Sequence, residues 1–592
     1  MISQDSTPDP PKETPDKIEE AARMCREILA RTPDNVTYLQ LMGVIECKLG
    51  RPAESEIWFR KCLALDPDAP EILCNYALAL LMKKDFAGAI ALLERATEIK
   101  PDFTLALKHL GNGLRDSGKF AEAVRVYERV LALEPDDRET LYSLAVLAKD
   151  LGRLPEARGY CERAIAKDPS NPFWINNLGT VLYTMGDYYR AAVCYRKALE
   201  LHPENPDALN NLSVLAHELG AFKEAVDYGR RALALRPTYP EALANLANSL
   251  KDTGKQEEAI ELLRRAALLN ENDPEIRHNL SVALLAAGRF EEGWPLYEAR
   301  WQTRYLKHRH RNYPQPLWRG EAKQGSVLFL HHEQGLGDTL QFCRYAPMAA
   351  ARGLRVVLEV PRTLVRLMKT LHGVEIVTAA LQEPAAFDFH CPLMSLPWAM
   401  GTRFETIPNS GPYLKADEKE VLEWREKLAP LVSNKPRVGL VWAGNPRRHT
   451  PSLAMTDRRR SIPPEMLTPL VKNTDIQFFS LQKEGPKPPE ALGLIDLMDE
   501  CDDFAATAAF LANLDLVITV DTAVAHLTGA LGKPVWVLNR FDTCWRWQRH
   551  SEKTPWYPTM RLFHQPEAGD WASVIARVAA EVAGATAGSP GL

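Results

Sequence analysis

The chain has 592 residues, of which 46% are hydrophobic and 25% are charged, and its formal net charge at pH 7 is −5. A chain of this length is too long for one core, so we expect two or three domains. The slightly acidic balance argues against a general nucleic-acid-binding protein. There is no apolar run of about 18 residues, so we expect no membrane-spanning helix. The ten cysteines are scattered singly, which fits a reduced, cytoplasmic setting.

The polar, proline-rich segment 1–16 is expected to be disordered and lacks the pattern of a signal peptide. After it a glycine and a proline each recur at multiples of 34 residues, with Lys84 in place of one glycine and Glu271 in place of one proline. The glycines are Gly50, Gly118, Gly152, Gly186, Gly220, Gly254 and Gly288, and the prolines are Pro33, Pro67, Pro101, Pro135, Pro169, Pro203 and Pro237. The glycine suits the reversal after a first helix, and the proline follows a second helix. This pattern strongly resembles the tetratricopeptide repeat, so we predict an all-α superhelix of about eight repeats over residues 17–304.

An asparagine is frequent eight positions after the proline position of each repeat. These residues are Asn75, Asn177, Asn211, Asn245 and Asn279. The row resembles the asparagine ladder of the protein O-GlcNAc transferases, which implies binding of an extended protein or peptide in the solenoid groove. A side-chain amide offers both a donor and an acceptor to a peptide group. The alternative is that these are ordinary solvated residues of a repeat.

Residues 305–324 are basic, aromatic and interrupted by prolines, and we predict a linker there. Apolar strands then alternate with helical segments. The predicted strands are 326–332, 355–361, 374–379 and 387–393 in a first half, 325–415, and 437–445, 476–482, 494–500, 516–522 and 534–540 in a second half, 416–582. Such alternation predicts parallel sheets covered on both faces, in two Rossmann-like halves. This layout resembles a GT-B glycosyltransferase, and we expect a disordered tail at 583–592.

Two loops of this α/β region combine small or basic residues with possible catalytic groups. The motif GLGD ends in Asp338, which could cap a helix or act as a base. The long basic loop after the first strand of the second half contains Asn445, Arg448 and Arg460, and arginines bind diphosphates through paired hydrogen bonds. The alternative for that loop is a flexible basic surface.

Two further loops follow buried strands of the second half. In one, Gln482 and Lys483 could reach a base or ribose, although a solvated strand end is an equal alternative. The other opens a helix, where free backbone N–H groups attract phosphate. Its candidate residues are Asp521, Thr522, Ala523 and His526. Asp502 and Asp503 are interpreted as a helix cap and not as a metal-binding pair.

The segments GLGD, RSIPP and VDTAVAHLTGALGKP resemble glycosyltransferase family 9, the ADP-heptose:lipopolysaccharide heptosyltransferases. Residues 325–582 also resemble bacterial tetratricopeptide glycosyltransferase-like proteins. The resemblance implies that Asp338 is the base, that Arg460 stands for a phosphate-neutralising lysine, and that 521–526 stands for the family's DTGxxH motif. Ala523 replaces the glycine of that motif, and this change and the lysine-to-arginine change weaken any assignment of ADP-heptose as the donor.

The sequence therefore predicts a bacterial, metal-independent, inverting glycosyltransferase that uses a nucleotide sugar and needs no cofactor. The solenoid would recruit a protein acceptor or partner, with no nucleic acid bound and with peripheral membrane contact left open. Two alternatives stay open: a non-catalytic scaffold with a degenerate transferase domain, and an O-GlcNAc-transferase-like enzyme that modifies proteins.

Overall fold

The computed structural model describes residues 15–380, 386–431, 435–446, 451–472 and 475–588. The chain divides into two compact units, one ending at Pro203 and the other beginning at Glu204. The boundary therefore falls inside the predicted solenoid and not at its end near residue 304. The physical reason lies in the second unit, where the last repeats pack against the α/β region.

The first unit consists of a single helix followed by five antiparallel helix pairs. Its helices are α1 (Pro15–Arg31), α2 (Val36–Lys48), α3 (Pro52–Leu65), α4 (Pro70–Met82), α5 (Phe86–Ile99), α6 (Thr104–Asp116), α7 (Phe120–Leu133), α8 (Arg138–Asp150), α9 (Leu154–Lys167), α10 (Pro172–Thr184) and α11 (Tyr188–Leu201). The turns between paired helices adopt the left-handed conformation, as with φ 83° at Gly118. Lys84 adopts it too, with φ 62°, although a side chain makes this conformation costly.

The second unit continues with three helix pairs, which we call the sixth, seventh and eighth repeats. They are α12 (Pro206–Glu218), α13 (Phe222–Leu235), α14 (Pro240–Asp252), α15 (Gln256–Leu269), α16 (Pro274–Ala286) and α17 (Phe290–Tyr297). The described part of the chain thus contains eight helix pairs at the predicted spacing, because the glycine turns and the following prolines set where most of these helices end.

The α/β region of the second unit contains two separate sheets. Its strands are β1 (Val327–His331), β2 (Arg355–Val360), β3 (Val374–Ala379), β4 (Phe389–Pro392), β5 (Arg437–Val441), β6 (Gln477–Ser480), β7 (Ile495–Asp496), β8 (Leu516–Val520), β9 (Val535–Asn539), β10 (Lys553–Thr554) and β11 (Tyr557–His564). The first sheet has the order β3-β2-β1-β4 and the second β10-β11-β9-β8-β5-β6-β7. All pairings are parallel except that of β10 with β11.

Helices connect the strands and cover the sheets. They are α18 (Leu336–Phe342), α19 (Ala346–Ala350), α20 (Val365–Met368), α21 (Leu396–Ala399), α22 (Glu418–Leu428), α23 (Pro451–Arg460), α24 (Thr468–Val471), α25 (Phe504–Ala512), α26 (Ala523–Ala530) and α27 (Trp571–Gly588). Asp503 caps α25 by accepting hydrogen bonds from the N–H groups of Ala505 and Ala506, as the sequence predicts. Two parallel sheets with helices are an α/β arrangement.

Three boundaries differ from the sequence-based expectations. Helix α27 continues to Gly588, so a disordered tail from residue 583 is wrong at its start; the alanine-rich end of this segment favours helix. Helix α1 begins at Pro15, within the segment 1–16 expected to be disordered. Strand β11 was not predicted, although it pairs with β9 along five residues.

One hydrophobic core joins the eighth repeat to both sheets. It contains Phe290 and Trp294 of the repeat, Leu328 of the first sheet, and Val517 and Val537 of the second. The ring of Trp294 lies 5.4 Å from that of Trp545, which follows β9. Because these large side chains are buried together, the eighth repeat belongs to the α/β core and does not extend freely from it.

Candidate functional site

Asp338 lies in the first turn of α18, at the carboxyl end of β1. Its Oδ2 accepts a hydrogen bond from the N–H of Gly335 at 2.9 Å, the residue that precedes the helix. This contact satisfies one of the backbone donors left free at a helix start. The helix-capping interpretation of Asp338 is therefore confirmed, but it occupies only one carboxylate oxygen.

The other oxygen of Asp338 forms an ion pair with Arg546, from the segment after β9. Arg546 is buried, and its Nε donates to Oε1 of Gln341 at 2.6 Å, while its Nη1 contacts the Sγ of Cys544 at 3.1 Å. The guanidinium also stacks on Trp545, 4.5 Å from the ring centroid. Asp338 thus links the first sheet to the second, and its side chain stays 23% exposed.

Helix α26 begins at the carboxyl end of β8 without a side-chain cap. The hydroxyl of Thr522 does not bond to the helix N–H groups but lies 3.0 Å from the hydroxyl of Thr519. The backbone oxygen of Asp521 accepts a hydrogen bond from Arg460. A helix start that lacks a side-chain cap offers N–H donors and a positive dipole end, which favours an anion there.

His526 lies on the first turn of α26 and is buried against aromatic rings. Its Nδ1 is 3.0 Å from the hydroxyl of Tyr557, and its ring stacks on Trp547 with 5.3 Å between centroids. Burial lowers the pKa of His526 to about 4, so the imidazole is neutral at pH 7. A neutral imidazole has one N–H group, so it donates to a ligand from Nε2 only in the tautomer in which Nδ1 accepts from the hydroxyl of Tyr557. A neutral ring adds a hydrogen bond to a bound anion and no positive charge.

The GLGD loop and the start of α26 are in contact. A Cβ atom added at Gly337 would lie 2.8 Å from Cδ2 of His526 and 3.7 Å from Cα of Ala523. Only glycine therefore allows the loop to approach so closely. The structure brings together Asp338 and the predicted phosphate-binding helix, and it adds Arg546 between them.

Arg460 ends α23 beside this helix start, and each nitrogen of its guanidinium already donates to a protein group. Nε and Nη2 donate to Oδ1 of Asp457 at 2.9 and 2.6 Å, and Nη1 donates to the oxygen of Asp521 at 3.0 Å. Gly444 packs directly on the guanidinium, where any Cβ would overlap it. Arg460 is close to the predicted diphosphate position, with its charge balanced by Asp457. Arg448 lies outside the described residues.

The remaining predicted donor contacts hold the strand ends of the second sheet. Oε1 of Gln482 accepts from the N–H groups of Trp442 and Ala443 at 3.1 and 2.9 Å. Lys483 donates to the carbonyl oxygen of Cys501, and Asn445 donates to Glu484. These contacts give all three side chains a structural role, and their contact with a nucleotide stays a prediction.

The predicted asparagine row is half-buried along the first helices of the repeats. In the first unit this holds for Asn75 and Asn177, and the Nδ2 of Asn177 is buried with no hydrogen-bond partner in the described chain. In the second unit it holds for Asn211, Asn245 and Asn279. Nδ2 of Asn245 donates to Oδ1 of Asn210 at 3.0 Å, so this amide already links two successive repeats.

Arginines of the α/β region cap the first helices of two successive repeats, α12 and α14. Nη1 of Arg459 donates to the carbonyl oxygen of Glu218 at 2.5 Å, at the end of α12. Nη1 of Arg549 donates to that of Asp252 at 2.6 Å, at the end of α14. A cation at a helix C-terminus is favourable because it meets free carbonyl groups and the negative dipole end. The two capped residues are 34 positions apart, so the contacts follow the repeat spacing.

The end of the eighth repeat supports the segment that leads into the GLGD loop. Nε and Nη2 of the fully buried Arg300 donate to the carboxylate of Glu333 at 3.2 and 2.8 Å. Burial raises the pKa of Glu333 to about 7 against the lowering effect of Arg300. Sequence reasoning missed Arg300 and Arg546, and their only signal was an arginine among tryptophans and tyrosines, in ARWQ and CWRWQ.

No group of three or more His, Cys, Asp or Glu side chains that could hold a metal ion occurs within the described ranges. Among the same residues, no helix is both long enough and apolar enough to cross a membrane.

Comparison with known proteins identifies the repeats. Models of the tetratricopeptide repeat match residues 36–69, 59–102, 109–172, 176–240 and 216–277. Protein FlbA of Caulobacter vibrioides (strain ATCC 19089 / CIP 103742 / CB 15) is 28% identical over 323 residues, which cover 49% of this chain and 51% of FlbA. The chain therefore spans about half the length of this curated relative.

Three similar solved structures have TM-scores below 0.4. Yeast Tom70 is 18% identical and covers 49% of this chain and 63% of its own, with a TM-score of 0.38. A tetratricopeptide repeat protein from Parabacteroides merdae is 19% identical. The match covers 40% of this chain and 94% of that protein, with a TM-score of 0.36. YrrB, a tetratricopeptide repeat protein with an unusual peptide-binding site, is 19% identical. The match covers 31% of this chain and 96% of YrrB, with a TM-score of 0.24. From the family models and the helix pairs, the repeats of this chain are tetratricopeptide repeats, joined to an α/β region with two parallel sheets.

Proposed function

We propose that the chain is a glycosyltransferase that takes a sugar from a nucleotide sugar and transfers it to an acceptor recruited by its repeats. The observation that carries the proposal is the contact between two loops from different sheets. The GLGD loop at the end of β1 touches the start of α26 at the end of β8, through Gly337 and Ala523. Ligands of parallel α/β folds bind at such carboxyl strand ends.

In this proposal Asp338 is the base and the start of α26 holds the diphosphate. The acceptor hydroxyl attacks the anomeric carbon, its proton passes to Asp338, and the bond from that carbon to the diphosphate oxygen breaks with the electron pair leaving on phosphate. The N–H groups at the start of α26, Arg460 and the neutral His526 stabilise the charge that develops. One displacement inverts the configuration at the anomeric carbon.

The repeats supply the reason for a protein acceptor. Tetratricopeptide repeats bind proteins or peptides, and the half-buried amides of Asn211 and Asn279 lie on the first helices of the second unit. An acceptor bound to these helices would contact the same unit that contains Asp338. This arrangement would suit an O-GlcNAc-transferase-like enzyme as well as a transferase with another protein or a cell-envelope acceptor.

A non-catalytic scaffold is the second candidate, and a specific observation favours it. Both carboxylate oxygens of Asp338 and all three nitrogens of Arg460 are occupied by protein groups. A degenerate transferase whose charges have become paired would look like this. The curated relative does not decide the matter, because the name FlbA states no activity.

Isothermal titration of the full chain with ADP, UDP and GDP separates the two candidates. The transferase predicts that at least one nucleoside diphosphate binds, and that Asp457→Asn with Arg460→Gln weakens it about 10- to 100-fold, the value of a hydrogen bond to a charged group. The paired change avoids leaving the buried Asp457 carboxylate alone. Arg458→Gln, at an exposed neighbour, is the matched control. The scaffold predicts that none of the three binds.

A further inference from the structure

We propose that Arg546 has two alternating anionic partners: the carboxylate of Asp338 when no donor is bound, and the diphosphate of the donor when it is. This inference rests on the glycosyltransferase function proposed above and adds to it a residue that binds the donor and releases the base. The structure shows the first of these two partners, because Arg546 is paired with Asp338.

The position of Arg546 places it within reach of both partners. Its ion-pair partner Asp338 follows Gly337, and Gly337 is in contact with His526 and Ala523 at the start of α26. A diphosphate bound to the first N–H groups of α26 would therefore arrive beside the guanidinium. The guanidinium is planar and presents several donors, a shape that suits a phosphate as well as a carboxylate.

The exchange needs only one of the three guanidinium nitrogens to change partner. Nε stays on Oε1 of Gln341, Nη1 stays on the Sγ of Cys544, and the stacking on Trp545 is kept. Only Nη2, now on Oδ1 of Asp338, moves to a phosphate oxygen. A buried cation without an anionic partner is strongly destabilising. The incoming diphosphate therefore replaces the carboxylate as the negative charge beside Arg546.

The consequence for Asp338 is that donor binding exposes the base. Oδ2 remains on the N–H of Gly335 and holds the carboxylate in place. Oδ1, freed from Arg546, can accept the proton of the acceptor hydroxyl as the hydroxyl oxygen bonds to the anomeric carbon. The electron pair of the broken bond stays on the diphosphate, where Nη2 of Arg546 now stabilises the added charge.

The test is isothermal titration of ADP, UDP and GDP into the full chain and three variants: Asp338→Asn, Arg546→Gln and the double variant. We expect Asp338→Asn to bind the diphosphate about 3- to 10-fold more tightly, because Arg546 no longer has a competing carboxylate. We expect Arg546→Gln to bind it about 10- to 100-fold more weakly. The double variant should behave like Arg546→Gln.

The double variant separates competition for Arg546 from a simple change of charge. If Asp338→Asn tightens binding equally with and without Arg546, the carboxylate only repels the anion and the proposal is overturned. Asp521→Asn, which removes a charge beside the same helix start, is the matched control. Its effect on the affinity for the nucleoside diphosphate should be the same in the natural chain and in Arg546→Gln. Arg546→Met, which removes the cation and keeps much of the apolar stem, repeats the test if Arg546→Gln does not fold.

The outcomes also distinguish this inference from the proposed function. If no nucleoside diphosphate binds the natural chain, both fail. If one binds the natural chain, Asp338→Asn and Arg546→Gln with the same affinity, the glycosyltransferase proposal survives and the two-partner role of Arg546 is wrong.

Discussion

Replacing Arg549 with methionine should loosen the contact between the seventh repeat and the α/β region while leaving the fold of each intact. In the structure Nη1 of Arg549 donates to the carbonyl oxygens of Asp252 and Phe541 at 2.6 and 2.9 Å. The guanidinium also stacks on the ring of Phe541 at 4.0 Å. Methionine keeps much of the apolar stem and removes the donors, so the change tests the cap and not the packing.

The expected loss follows from these contacts. A hydrogen bond from a charged donor contributes about 1.5–3 kcal/mol, and a cation at a helix C-terminus about 0.3–1 kcal/mol. Water can reach part of this half-exposed site and recover some of the hydrogen bonding, so we expect a net loss of about 2–4 kcal/mol in the free energy of local opening. That loss corresponds to hydrogen exchange about 30- to 1000-fold faster in the last turn of α14.

Hydrogen exchange followed by mass spectrometry is the suitable assay, because a chain with two compact units need not unfold in a single step. Peptides covering 240–255 and 541–549 should exchange faster in Arg549→Met. Arg425→Met, at an exposed position of α22, should change neither peptide. Unchanged exchange at 240–255 in a folded Arg549→Met protein would refute the view that this arginine caps α14.

Four further outcomes follow from the structure. Asp338→Asn should lower transfer of sugar to acceptor about 10²- to 10⁴-fold if Asp338 is the base, measured as product formed per enzyme at saturating donor, whereas a purely capping role predicts turnover near that of the natural chain. Burial lowers the pKa of His526 to about 4, below its unfolded value of about 6.5, so the unfolded chain binds more protons between these values. The urea midpoint of the second unit should therefore fall as pH drops from about 6.5 to 4, with a smaller slope in His526→Gln and an unchanged slope at the exposed His372→Gln. Lys84→Gly should raise the urea midpoint of the first unit by removing about 1 kcal/mol of left-handed strain, and an unchanged or lower midpoint would contradict this. Asn245→Ala together with Asn211→Ala should weaken the binding of a protein partner identified for the repeats, without lowering the helix content measured by circular dichroism.

The helix pairs were predictable because one residue type marks each of their ends. Gly118 and its counterparts reverse the chain in the left-handed conformation, and a proline follows the second helix in most repeats. Lys84 shows the limit of this rule: it keeps the same conformation without being glycine, so the repeat geometry overrides the local preference. A sequence pattern gives the position of such a turn better than its energy.

The division into units could not be predicted, because the repeat pattern is the same on both sides of Pro203. What changes there is the tertiary partner. The sixth and seventh repeats meet Arg459 and Arg549, which lie more than 200 residues further along the chain. Periodicity reports contacts between neighbours in sequence and says nothing of such distant ones.

Parts of the candidate site that depend on a backbone contact were predictable, because a recognisable motif contains the required glycine. Parts that depend on a single buried side chain were not. Gly337 must be glycine for the loop to touch α26, and the motif containing it was found. Arg546 belongs to no recurring pattern, and its importance arises from burial beside Asp338. His526 was found by its motif, but its neutrality comes from burial, which only the structure shows, with Tyr557 and Trp547 packed against the ring.

The capped helices change how recruitment by the repeats should be viewed in the second unit. The C-terminal ends of α12 and α14 are covered by the α/β region, and the eighth repeat shares its core. Arg300, just after that repeat, holds Glu333 in the segment that leads to Asp338. A protein bound along Asn211 and Asn245 would therefore contact α12 and α14, whose C-terminal ends are capped by Arg459 and Arg549. In this unit the repeats are part of the support of the site, so binding of a partner and the geometry around Asp338 should depend on each other.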